Sequence, residues 1–233
     1  MLRGKFQRTF AQWRRLGSLR FLQLAFYRLL RIYPITDWLW DRRLGIHTRA
    51  HLNPRNYGIK DASTHSYTPT CYLEVKEALR HVRFVPGKDS FLDYGSGMGR
   101  VVILAATYPF RRSIGVEFCA EFNEVARRNA ERAKPRLACQ NVELITADAR
   151  DYAVPSDVTV IFLYSPFEAD VLEKVLQNIR RSLEEAPRPM SVIYVVPTVL
   201  ESQVGRPDWL VKREDFVPLF RPGAIYDARL PGR

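Results

Sequence analysis

The stretch from Ser90 to Ala106, Ser-Phe-Leu-Asp-Tyr-Gly-Ser-Gly-Met-Gly-Arg-Val-Val-Ile-Leu-Ala-Ala, constrains this chain more than any other. The apolar pair Phe91 and Leu92 predicts a strand end and Asp93 follows it. Glycines then stand at 95, 97 and 99, ahead of an apolar run that fits a buried helix. Glycine tolerates positive φ and lets a ligand approach the backbone, while a starting helix offers unpaired N–H groups and a partial positive charge. Strand, glycine turn and helix in this order predict a cradle for a cofactor.

The alternation continues downstream. Apolar segments at Ser113–Glu117, Val142–Thr146, Val158–Leu163 and Val192–Val196 predict strands. Helices are predicted over Arg100–Tyr108, Ala120–Lys134 and Glu168–Leu183. In the second, Glu124 and Arg128 stand four apart and support each other. In the third, Leu172, Val175, Leu176, Ile179 and Leu183 form the apolar face, with Arg180 and Arg181 near the C-terminal end, where they suit the helix dipole. Thr68-Pro69 reads as a cap and first position of an earlier helix reaching about Val82. Trp209–Val217 and Ala224–Leu230 flank Arg221-Pro222-Gly223 and predict a closing antiparallel hairpin. The expected fold is α/β, a seven-stranded sheet that is mostly parallel, with right-handed crossovers.

At 233 residues and 46% hydrophobic content the chain can bury one sizeable core. Its three cysteines, Cys71, Cys119 and Cys139, form no Cys-x-x-Cys pair, which argues against a zinc ribbon or a disulfide framework and points to a reducing compartment. The formal net charge of +11 is concentrated: eight of the basic residues and none of the acids precede Asp37. Between Leu19 and Tyr33 apolar residues recur at helical spacing opposite Arg20, Gln23, Arg28 and Arg31, a basic amphipathic helix with no apolar run long enough to span a membrane. Three readings stay open for it: packing on the domain, lying on an anionic membrane surface through residues 1–36, and acting as an organelle-targeting segment. Nucleic acid is not excluded, although no recognised module surrounds the charges. Residues 34 to 68 read as irregular connection. The division expected is a basic helical extension with its loop over 1–60 and the α/β domain over 61–233, placed in the cytoplasm or peripherally at a membrane.

Two cofactor classes compete for the glycine turn. A dinucleotide site, and with it an NAD-dependent oxidoreductase, requires a small residue at 100 where the helix packs on the strand, and the chain has Arg100. Asp93 would also face phosphate with like charge. An acid two residues before the first glycine suits a cationic amine instead.

Phe91-Leu-Asp-Tyr-Gly-Ser-Gly-Met-Gly99 resembles the first motif of class I S-adenosylmethionine-dependent methyltransferases, and Ile114-Gly-Val-Glu117 is similar to their second. The resemblance implies a Rossmann-like methyltransferase sheet with S-adenosyl-L-methionine as cofactor. It places Asp93, Gly95, Ser96, Gly97 and Gly99 along the methionyl part. Glu117 falls on the ribose, where a carboxylate can accept from two hydroxyls at once, with Phe118 beside it. Asp148 and Ala149, in Ala147-Asp-Ala149, fall at the adenine, and Tyr164 falls near the cofactor at the end of the fourth strand. The bland alternatives are a ligand-free turn, a helix-starting Glu117 and a turn-forming Asp148.

For the chemistry, Phe162-Leu-Tyr-Ser-Pro-Phe167 resembles the Asn/Asp-Pro-Pro-Tyr/Phe motif of amino-group methyltransferases, with Ser165 in place of the amide or acid. Ser165 and Phe167 are therefore candidate catalytic residues, although Ser165-Pro-Phe-Glu168 also reads as a capping box. Tyr67-Thr-Pro-Thr70 is loosely similar to the cofactor-covering loop of non-SET histone-lysine methyltransferases, which makes Tyr67 the third candidate and His65 a neighbouring one. The expected function is a methyltransferase for an unknown acceptor, with a protein or small-molecule amine favoured. The alternatives are a non-catalytic cofactor- or membrane-binding module and the oxidoreductase.

Overall fold

A computed structural model describes residues 33–49, 69–164, 167, 169–196, 200, 205, 207–216 and 222–230. The amphipathic segment up to Ile32, the 50–68 stretch with His65 and Tyr67, and Ser165, Pro166 and Glu168 lie outside the described residues.

The chain begins with helices α1 (Tyr33–Leu44) and α2 (Tyr72–Arg80) and then alternates. Strand β1 (Ser90–Tyr94) leads through the glycine turn to α3 (Arg100–Ala105). Strand β2 (Ser113–Glu117) is followed by α4 (Ala120–Ala133) with a 3-10 turn over Lys134–Arg136. Strands β3 (Val142–Thr146) and β4 (Val158–Tyr164) precede α5 (Ala169–Glu185), and β5 (Met190–Val195), β6 (Leu210–Phe216) and β7 (Gly223–Ala228) complete the sheet. Its order is β3-β2-β1-β4-β5-β7-β6, parallel from β3 to β5 and antiparallel at β7 and β6, as expected of the seven-stranded α/β fold.

Side-chain alternation along the strands divides the core into two layers. Leu92, Ile114, Ile161, Val192 and Tyr226 pack on one face with α5 residues such as Leu172, Val175 and Ile179. Phe91, Val160, Phe162, Ile193 and Ile225 pack on the other with Leu44 of α1, Tyr72 and Val75 of α2, and Ile103 and Leu104 of α3. Each of those side chains, once fully buried, contributes roughly 1.5–3 kcal/mol. Because β1 has β2 on one side and β4 on the other, the chain reverses its winding there, which opens a crevice outside the carboxyl ends of these strands.

Four expectations change. Residues 34 to 68 are not all irregular, because Tyr33–Leu44 is helical. Pro34 sits in its first turn, where a missing N–H costs nothing. Helix α2 starts at Tyr72 rather than at Pro69, after a cap position at Cys71. The Thr70 carbonyl accepts from Arg100 at 3.0 Å, a tertiary bond that holds this stretch outside the helix. Helix α3 ends at Ala105, with Ala106 as its cap, three residues before the expected Tyr108. Helix α5 runs to Glu185, so Arg180 lies inside it and bonds Glu184 at 2.8 Å, an i,i+4 pair rather than a terminal dipole contact. The Glu124–Arg128 pair forms as expected, at 3.2 Å.

Candidate active site

Gly95, Gly97 and Gly99 all take positive φ, at 74°, 53° and 83°, so the turn after β1 adopts a path that only glycine follows cheaply. The Gly95 and Ser96 amides both donate to the Val116 carbonyl, at 2.9 and 3.1 Å, which ties the turn to β2. Ser96 is buried, and a methyl group placed on Gly115 would come within 2.7 Å of its hydroxyl and 2.8 Å of Val102. Gly115 is what lets the turn and α3 lie this close to β2.

The three acids stand at the carboxyl ends of neighbouring strands: Asp93 in β1, Glu117 as the last residue of β2 and Asp148 two residues past β3. Asp93 is 3% exposed and pairs in register with Gly115 and Phe162. Burial, and then the charge of Glu117, push its carboxyl well above the usual range. Glu117 holds the turn itself: one oxygen accepts from the Gly97 amide at 2.7 Å and the other from Cys119 at 2.9 Å. Burial raises its carboxyl too, against the lowering effect of the Cys119, Gly97 and Phe118 amides. With about four acceptor sites and three amide donors, the Glu117 carboxylate keeps room for a hydroxyl donor. Among the described residues no cation forms an ion pair with Asp93 or Glu117, so both suit a cationic or hydroxyl-rich ligand.

Asp148 is differently placed. It accepts the Arg150 amide at 2.8 Å, an Asx turn, and takes the Arg150 guanidinium at 2.6 to 3.0 Å. Ala149 is buried in the core beneath it. Phe118, next to Glu117, is 44% exposed and offers an open aromatic face. Tyr164 is half-buried at the end of β4. Phe167 lies edge-on to Tyr94, at 6.3 Å between ring centres, immediately beneath the start of the glycine turn. The structure therefore gathers Asp93, Gly95, Ser96, Gly97, Gly99, Glu117, Phe118, Asp148, Ala149, Tyr164 and Phe167 at the carboxyl edge of four neighbouring strands, while Ser165 and Tyr67 lie outside the described residues.

Residues 91–186 match the family profile described as a methyltransferase domain. Those residues, fewer than half of the chain, are similar to a methyltransferase domain. Among curated proteins, no sequence relative matches. Solved structures share the fold. An RNA methyltransferase from Salinibacter ruber, crystallised with S-adenosyl-L-homocysteine, is 24% identical with a TM-score of 0.53, over 71% of this chain and 98% of that one. A SAM-dependent methyltransferase from Aquifex aeolicus is 14% identical with a TM-score of 0.54, over 76% of this chain and 99% of that one. A variant of MtNAS in complex with S-adenosylmethionine is 19% identical with a TM-score of 0.52, over 68% of this chain and 62% of that one.

Arg100, which counted against a dinucleotide, has a positive role in this methyltransferase domain. It is 2% exposed, pairs with Asp37 at 2.7 Å and lies 4.7 Å above the Tyr72 ring. Its acids sit in the segment read as connection, so the pairing had no local signal. Asn129 was likewise passed over, although an amide on the apolar stripe of α4, among Phe122, Ala126 and Ala133, marks a buried polar contact.

Proposed function

We propose that this methyltransferase passes the methyl group of S-adenosylmethionine to an amine acceptor, on a protein or a small molecule. The observation that carries the reading is the pair of acids, buried Asp93 and half-buried Glu117, uncompensated by any described cation, beside a turn of three left-handed glycines. When bound, the cofactor supplies an electrophilic methyl on a positively charged sulfur. The chain's residues then have three tasks: to hold, to orient and to exclude water.

Asp93 would hold the methionyl ammonium, Glu117 a ribose hydroxyl on the acceptor site its three amide bonds leave, and Phe118 the flat face of the base. For Asp148 to receive the adenine amino group it would give up one of its four contacts with Arg150, because an ionised carboxylate offers about four acceptor sites. Tyr164 ends β4 and Phe167 follows it on the acceptor side. Tyr164 packs toward one face of the sheet and Phe167 toward the other, with Ser165 between them in sequence, so the two would border an acceptor amine from either side of the strand end. The family likeness of the 162–167 segment to amino-group methyltransferases favours nitrogen as the acceptor atom.

Calorimetric titration with S-adenosylmethionine, S-adenosylhomocysteine and NAD tests the cofactor. Saturable binding of the first two is expected, and binding of NAD alone would overturn the reading. Incubation with tritiated-methyl donor and fractionated cell extract tests the acceptor. Label that survives mild alkali on an amine is expected, whereas alkali-labile label on carboxyl groups would reject nitrogen.

A further inference from the structure

We propose that residues 33–49 brace the glycine turn, so that docking of this segment and occupation of the cofactor site are thermodynamically coupled. The inference rests on the reading of the turn as the cofactor cradle.

Three left-handed glycines give the turn extra backbone freedom to lose, so its shape depends on outside restraints. Beyond β2, two of these restraints run to residues 33–49. The first passes through Asn129 of α4, which is 1% exposed. Its amide nitrogen donates to the Met98 carbonyl, inside the turn, and to the His47 carbonyl, both at 3.1 Å. Its amide oxygen accepts the His47 N–H at 3.0 Å. One side chain is thus shared between the turn and the segment.

The second restraint is Arg100, the residue that follows Gly99. Its Nε donates to the Thr48 hydroxyl and its Nη1 to Asp37, each at 2.7 Å. Asp37 and Asp41 are four apart on α1, and Asp41 accepts from the Thr48 hydroxyl at 2.8 Å and from the Tyr72 hydroxyl at 2.6 Å. Asp37 also accepts the Tyr72 amide at 3.1 Å. Met98 and Arg100 flank Gly99, the glycine with the largest positive φ of the turn, so the segment grips the turn on both sides of its tightest point. If a docked segment favours the shape that holds cofactor, linkage requires a bound cofactor to favour the docked segment to the same degree.

The test uses the full chain. Hydrogen exchange with and without saturating S-adenosylhomocysteine should show slower exchange of the amides at 41–48 when the ligand is present. Calorimetry should show S-adenosylhomocysteine binding weakened about tenfold in Asp41→Asn, within the usual range of couplings between sites. Thr48→Val is the second variant if Asp41→Asn does not fold, and the exchange experiment needs neither. Asp157→Asn is the control for general destabilisation. It breaks bonds to Arg112 and Ser90 at the opposite end of the sheet and should lower the melting temperature without changing affinity. Unchanged exchange at 41–48, unchanged affinity in the folded variant, or equal weakening in the control would each overturn the coupling. Failure of the unaltered chain to bind S-adenosylhomocysteine would instead overturn the reading of the site.

Discussion

Gly115→Ala tests how closely the glycine turn is fitted to the sheet. The added methyl would lie 2.7 Å from the Ser96 hydroxyl, 2.8 Å from the Ser96 Cβ and 2.8 Å from a Val102 methyl. None of these neighbours is the free end of a long side chain, so the turn or α3 must move. Overpacking of this kind costs roughly 1–3 kcal/mol. For a chain of this size each kcal/mol lowers the melting temperature by about 2–4 °C, so a fall of roughly 2–12 °C is expected by differential scanning calorimetry. Because Ser96 belongs to the turn, S-adenosylhomocysteine binding should weaken as well. Adding Ser96→Gly removes two of the three contacts and should restore part of both losses, less about 0.5–1 kcal/mol for a further glycine. A Gly115→Ala protein that melts and binds like the original, or a double variant no better than the single, would refute the packing argument.

Three other outcomes follow from the site and its surroundings. Glu117→Gln gives up a charge-assisted bond worth roughly 1.5–3 kcal/mol, so S-adenosylhomocysteine affinity should drop about 10- to 150-fold by calorimetry. Although burial pushes the Asp157 carboxyl up, hydrogen bonds from Arg112 and Ser90 outweigh it and bring it down to about 2. Its folded value thus lies below the unfolded one of about 3.9, and its stabilisation is present above that pH and lost as pH falls towards 2. The melting difference between the original and Asp157→Asn should accordingly be constant near neutrality and shrink across that window. Cys71, Cys119 and Cys139 are buried, and burial lifts the first two thiols to about 12 and about 11, so Ellman's reagent should label none of the three until the chain is unfolded.

What could be read from the sequence is what depends on near neighbours. Strands β2 and β3 lie where their apolar runs place them, at Ser113–Glu117 and Val142–Thr146, and β6 and β7 pair antiparallel as the closing hairpin requires. The glycine turn was legible because strand end, acid, glycines and helix are contiguous. Helix α1 was not, because its pattern is only weakly two-sided and the partner that orders Asp37 is Arg100, 63 residues away. The start of α2 was misplaced for the same reason: Thr70 is held by that arginine. At the site, Glu117 was read as a ligand group, yet its carboxylate also shapes the turn through Gly97, and Asp148 serves a turn with Arg150. Neither second role leaves a local trace, since each depends on where folding brings a backbone amide or a guanidinium.

The placement of β6 at one margin of the sheet has a consequence for how this protein meets copies of itself. Leu210–Phe216 carries four consecutive charges, Lys212, Arg213, Glu214 and Asp215, on the strand that, among the described residues, pairs only with β7. At the other margin, Arg127 of α4 donates to the Leu144 carbonyl of β3 and to the Thr146 hydroxyl. A second chain that tried to extend the sheet would have to desolvate the charges at one margin or displace the guanidinium at the other, which is how natural sheets resist growth by strand addition. The folded protein is thereby guarded against cross-strand aggregation at both margins, and the hairpin of β6 and β7 is the element whose opening would remove the guard at its own side.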